Sequence, residues 1–190
     1  MRISPGFCLL LAWFGTVNGW RLLGTVLLAA GLHEAGHCIA LRSLGAGITG
    51  LRLGVLGAVL EVDGRRLSYG RELVTVLAGP GANLLAACLF SCLGEAWLGE
   101  VGANLVLALF NLLPIYPLDG GRMLRLLTQW AAGPEMGDWA ARWIGAATAA
   151  ALFCGICYLM WRTGGSLWLA PAALGALAAA GRNLLGSAED

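Results

Sequence analysis

Long apolar runs leave this chain few ways to fold. Six stretches approach the roughly 18 to 20 residues a helix needs to cross a bilayer. They are uncharged or nearly so: Ile3 to Trp20, about Leu22 to Leu41 with a polar interruption, Leu73 to Leu93, Val101 to Leu118, Trp143 to Trp161, and Thr163 to Ala180. Lipid offers backbone N–H and C=O groups no partner, so such segments must satisfy them internally, as helices. Composition agrees, with 58% of 190 residues hydrophobic and 12% charged, against about 25% charged in soluble domains. The expectation is an all-α polytopic membrane protein of about six transmembrane helices, forming a single domain over 1–190.

A formal net charge of +1 gives no basic field, so nucleic acid is excluded as a partner and the lipid bilayer takes its place. Ile3 to Trp20 has a cleaved signal peptide as its alternative, because Arg2 precedes a short apolar core. With no small-x-small site ahead of Trp20, it is taken as a retained span. Arginines 42, 52, 65, 66 and 71 crowd the connection between the second and third spans, and positive charge marks the cytoplasmic side. Alternation then puts both termini in the cytoplasm. Six cysteines lie inside apolar runs and read as small packing residues. Cys154 and Cys157 have redox or metal spacing, but no second pair stands nearby.

The connection from Gly45 to Gly70 is too polar to span, yet Ile48 to Val62 is apolar and glycine-rich. Its partial alternation suits short strands better than a helix, with a surface-packed loop as the other reading.

Chemistry concentrates in the interruption of the second span, His33-Glu34-Ala35-Gly36-His37, which matches H-E-x-x-H. Positions four apart share a helix face, so two imidazoles can reach one ion while the glutamate polarises a bound water. A pair of hydrogen-bonded core histidines is the plainer alternative. Burying His, Glu and His in an apolar span costs several kcal/mol unless something offsets it, and a metal ion does. Catalytic zinc needs a third protein ligand, and the chain has only two histidines. Among carboxylates at membrane depth Asp119 stands out, ending the fourth span in Asn111-Leu112-Leu113-Pro114-Ile115-Tyr116-Pro117-Leu118-Asp119-Gly120-Gly121, where two prolines break the helix and two glycines permit a sharp turn. Topology brings it to the depth of His33 and His37, because the second and fourth spans run the same way.

These residues resemble the site-2 protease family of intramembrane zinc peptidases. Both the H-E-x-x-H helix and the later N-x-x-P-x-x-P-L-D-G-G segment are present, with Ala78-Gly79-Pro80-Gly81-Ala82-Asn83 similar to the family's A-G-P-x-x-N stretch. With Arg2-Ile3-Ser4-Pro5, the layout looks most like the branch containing the stage IV sporulation protease. The resemblance covers Arg2 to Arg125, a core to which 139–180 adds two spans. It implies a zinc site reached from the cytosol of a bacterial cell membrane, and a small membrane-associated β-sheet after the catalytic helix. It also implies that Asn111 positions the unwound backbone of a substrate. No PDZ-like or nucleotide-binding regulatory domain is expected.

The function expected is zinc-dependent hydrolysis of peptide bonds in or near transmembrane segments of membrane-spanning or membrane-tethered proteins. His33, His37 and Asp119 hold Zn2+, and Glu34 serves as the base. A silent scaffold or chaperone of the same fold is the main alternative. A metal transporter fits less well, because the other spans hold few polar groups. A zincin with a glutamate third ligand would need Glu135, which is read as lying in a polar loop.

Overall fold

The computed structural model describes residues 2–3, 5–54, 57–62, 68–164 and 169–185. Arg65 and Arg66 of the predicted cytoplasmic connection, and Ser4 of the N-terminal motif, lie outside them. Two compact units divide the chain, residues 1–110 and 111–190.

The first unit opens with a two-residue strand, β1 (Arg2–Ile3), and helices α1 (Pro5–Asn18) and α2 (Trp20–Ser43). Gly19, at φ 88°, separates them in a conformation that other residues rarely adopt. A Cβ on Gly15 would stand 2.8 Å from the Trp20 ring, so the absence of a side chain there lets the indole fold back on α1. Strands β2 (Ile48–Gly54) and β3 (Gly57–Val62) follow. They pair antiparallel, from Ile48 with Val62 to Gly54 with Gly57, while β1 pairs parallel to β2 through Arg2 with Arg52. Helix α3 (Tyr69–Ser91), a single 3-10 turn (Glu95–Trp97) and α4 (Leu98–Asn111) complete the unit's elements.

Helices α2 and α3 meet along a seam of small residues. A Cβ on Gly36 would run into the Ala78 carbonyl and stand 2.8 Å from the Ala82 Cβ. Close backbone approach of this kind is how helices associate where lipid removes the hydrophobic drive. It also sets the histidines of α2 against α3.

The second unit carries α5 (Asp119–Ala132), α6 (Pro134–Arg162) and α7 (Ala170–Leu185). Its core gathers on Ile115, Ala149 and Ala180, with Leu113, Leu118, Leu152 and Ala179 packed against it.

The architecture is mostly helical, and among the described residues three helices, α2, α3 and α6, are long and apolar enough to cross a membrane. The other three predicted spans map onto shorter elements: α1 and α4 have 14 residues each and α7 has 16. At 1.5 Å per residue, 14 residues rise about 21 Å, short of a hydrocarbon core of about 30 Å.

Two expected boundaries need correction. The fourth span does not run to Leu118: α4 stops at Asn111, because Pro114 and Pro117 bring no N–H to a continuing ladder. Asp119 therefore begins α5 instead of ending α4. Glu135 is not in a polar loop but in the first turn of α6, just after Pro134 at its opening position, where proline's fixed φ and missing N–H suit a helix start.

Candidate metal centre

His33 and His37 lie one turn apart on α2, at 6% and 8% exposure. Their rings stand edge to face, with centroids 4.7 Å apart, and their Nε2 atoms are 3.1 Å apart. Two nitrogens bound to one tetrahedral zinc at about 2.0–2.1 Å stand about 3.3 Å apart. The spacing therefore suits a shared ion.

What turns the Nε2 atoms toward one another is found on the opposite side of each ring. His33 Nδ1 is 2.8 Å from Asn83 Oδ1, and His37 Nδ1 is 2.8 Å from the Thr75 carbonyl oxygen. A carbonyl only accepts, so His37 must donate from Nδ1. The Asn83 amide is oriented by its own network: Nδ2 donates to the Ala29 carbonyl at 2.9 Å and to Asn104 Oδ1 at 2.8 Å. Its oxygen therefore faces His33, which also donates from Nδ1. A neutral imidazole that donates from Nδ1 is in the tautomer whose Nε2 carries a lone pair, which is how partners behind a metal-binding histidine fix its orientation.

The network continues as Asn104 Nδ2 donates to the Glu100 carbonyl at 2.8 Å. Thr25 Oγ1 donates to Glu100 Oε1 at 3.2 Å. Asn83 and Asn104 are fully buried, and their bonds tie α2, α3 and α4 together behind His33. Pro80 of α3 brings no N–H for the Val76 carbonyl four residues earlier; the neighbouring Thr75 carbonyl is the one that meets His37.

Gly79 makes the room. A Cβ there would run into His37 Nε2, and would stand 2.6 Å from His37 Cε1 and 2.9 Å from His33 Cε1.

Asp119 is 7% exposed and opens α5. The preceding loop folds over that first turn, with Ile115 N donating to the Leu113 carbonyl at 2.7 Å and Leu118 N to the Ile115 carbonyl at 2.8 Å. The Tyr116–Pro117 peptide is cis. A Cβ on Gly120 would collide with the Leu112 and Leu113 carbonyls. The two glycines after Asp119 thus let loop and helix lie in direct contact.

His33 and His37 each offer an imidazole nitrogen and Asp119 offers a carboxylate oxygen, the atom types that hold a metal ion. Two imidazole nitrogens and a carboxylate oxygen are a donor set suited to zinc with a position left for water. The residues present fit a zinc cofactor. Of the other predicted site residues, Glu34 follows His33 on α2, half-buried, and Asn111 is the half-buried last residue of α4. The sequence motifs assign the asparagine pair no role as a support. Its signal was two amides inside otherwise apolar runs, which lipid or core would exclude unless they were bonded.

Comparison with known proteins gives a consistent result. The profile of peptidase family M50 matches residues 95–154. The protein named "Putative zinc metalloprotease Rip3" of Mycobacterium tuberculosis is 32% identical over 136 residues, covering 58% of this chain and 34% of that protein. Zinc metalloprotease MJ0392 of Methanocaldococcus jannaschii is 28% identical over 119 residues, covering 57% and 34%. The chain thus spans about a third of the length of these curated relatives. The solved site-2 protease of Methanocaldococcus jannaschii superposes with a TM-score of 0.69 at 22% identity, covering 97% of this chain and 88% of that one. The resemblance to the site-2 protease family holds in sequence, and that structure shares the fold. None of these matches shows the narrower likeness to the sporulation branch.

Proposed function

We propose that this chain, a relative of peptidase family M50, is a zinc-dependent intramembrane endopeptidase that hydrolyses peptide bonds in or near transmembrane segments of membrane-associated proteins. The observation that carries this reading is the pair of Nε2 atoms 3.1 Å apart, each imidazole turned by a partner on its Nδ1.

In this reading His33, His37 and Asp119 are the ligands. When bound, zinc supplies Lewis acidity, acidifying a water and polarising the scissile carbonyl. Glu34 takes the proton of the attacking water and delivers it to the leaving nitrogen as the C–N bond breaks. A substrate helix hides its carbonyls in i to i−4 bonds and must unwind locally first. Asn111 would hold the freed backbone by its amide, and pairing with the β2–β3 strands would offset the lost helix bonds. The short α1, α4 and α7 would complete about six membrane-embedded helices, with both termini cytoplasmic.

Replacing Glu34 tests the reading. In membranes or nanodiscs the Glu34→Gln protein should hold zinc as wild type does while a co-expressed single-span substrate stays uncut. Retained cutting refutes the base assignment. A wild-type protein that holds zinc and cleaves no membrane substrate favours the scaffold alternative.

A further inference from the structure

We infer that Asn183, on the last helix, is a positioning residue for Asp119: its amide clamps the Tyr116 peptide in the loop from which Asp119 emerges. The inference rests on the zinc-peptidase reading above and concerns contacts within the second unit alone.

Asn183 is 5% exposed. Its Oδ1 accepts from Tyr116 N at 3.2 Å, and its Nδ2 donates to the Tyr116 carbonyl at 3.0 Å and to the Ala179 carbonyl at 2.7 Å. One side chain thus meets both polar backbone groups of a single residue, as a neighbouring strand would. The orientation is unambiguous, because the two carbonyls only accept and the Tyr116 N–H only donates. Every hydrogen of the amide is used.

Helix packing does not explain this residue. Residues 170–185 read APAALGALAAAGRNLL, and alanine at 183 would dock such a helix on its neighbour just as well. A buried amide is penalised unless it is bonded, and two of its three bonds go to the loop. Helix α6 makes room for it: a Cβ on Gly145 would collide with Asn183 Oδ1 and stand 3.2 Å from the Pro114 carbonyl oxygen.

From Tyr116 to Asp119 the path is short and close-packed. A Cβ on Gly121 would meet Ile115 C at 2.5 Å and Tyr116 N at 2.6 Å. Gly121 N and Arg122 N both donate to the Leu118 carbonyl at 3.1 Å. The clamped peptide therefore bears directly on the first turn of α5, and a shift at Tyr116 must move Asp119. Ligand distances to a metal tolerate only about 0.2 Å, so a small loss of placement weakens the site.

The test uses the full chain in nanodiscs and breaks the clamp from two helices. Asn183→Leu removes the amide, Gly145→Ala displaces it, and Gly155→Ala, where a Cβ meets nothing within 4 Å, serves as control. Two readouts are taken: hydrogen exchange of the Tyr116 amide in metal-free protein, and zinc release to a chelator. Either clamp variant should speed Tyr116 exchange about 10-fold or more and weaken zinc retention roughly 10- to 100-fold. The double variant should be no worse than the poorer single, because both break one contact, and the control should match wild type.

Unchanged Tyr116 exchange in both variants overturns the clamp. Faster exchange with wild-type zinc retention overturns the positioning role and leaves a purely structural bond. If Asn183→Leu fails to insert, Gly145→Ala reads the same contact with one added methyl. Failure of the underlying reading looks different: a wild-type chain that takes up no zinc while Tyr116 exchange still responds overturns both the peptidase assignment and the positioning role.

Discussion

Adding one methyl group at Gly79 should empty the metal centre while leaving the fold nearly intact. The Cβ of Gly79→Ala would stand 2.6 Å from His37 Cε1 and 2.9 Å from His33 Cε1, whereas carbon atoms settle at about 3.5–4.0 Å. The His37 ring must therefore retreat by roughly 1 Å, well beyond the 0.2 Å or so that coordination tolerates. Zinc affinity should fall by more than about 100-fold, exceeding the loss of a supporting hydrogen bond. Stability moves less, because two terms oppose each other: overpacking costs about 1–3 kcal/mol, while replacing a mid-helix glycine by alanine returns about 1 kcal/mol. The metal-free variant should thus unfold within about 2 kcal/mol of the metal-free wild type. Zinc per chain after desalting, measured by atomic emission, reads the first quantity, and denaturation of chelator-treated protein reads the second. Gly81→Ala, where a Cβ meets nothing within 4 Å, should hold zinc normally. A Gly79→Ala protein carrying one zinc per chain, released at the wild-type rate, would refute the reasoning.

Two further substitutions probe the same centre. Asn83→Ala removes the acceptor behind His33 and leaves Asn104 Oδ1 and the Ala29 carbonyl without their shared donor; it should cut zinc affinity about 10- to 100-fold and destabilise the first unit by about 1–3 kcal/mol, read by chelator competition and denaturant titration. Asp119→Asn keeps the shape but removes the charge of the proposed third ligand, so zinc should be lost during purification; unchanged metal content would count against that role.

Some of this was legible in the chain and some was not. The histidine pair could be read because helical spacing alone places residues four apart on one face. Asp119 could be proposed because few carboxylates lie near apolar runs. Helix ends were another matter. Hydropathy measures how apolar a run is, so it joined Leu112–Leu118 to α4 although two prolines stop the helix at Asn111. It also passed over α5, whose Arg122 and Arg125 break any uncharged run and whose apolar residues repeat along one face instead. The supports at Asn83, Asn104 and Asn183 could not be assigned from sequence, since a lone amide in an apolar helix names no partner. Only tertiary placement shows that Asn83 backs a histidine while Asn183 grips a loop.

The brevity of α4 sets a condition on where such a protein can work. Seated in a bilayer as proposed, a 14-residue helix rises about 9 Å less than the mean hydrocarbon thickness, and each ångström of mismatch costs a fraction of a kcal/mol. Where the bilayer meets this shortfall by thinning, headgroups and water are drawn inward, so longer acyl chains would strain the surroundings of this helix and shorter ones would relieve them. Lipid chain length thereby joins sequence in deciding how deep the polar interior lies below the surface.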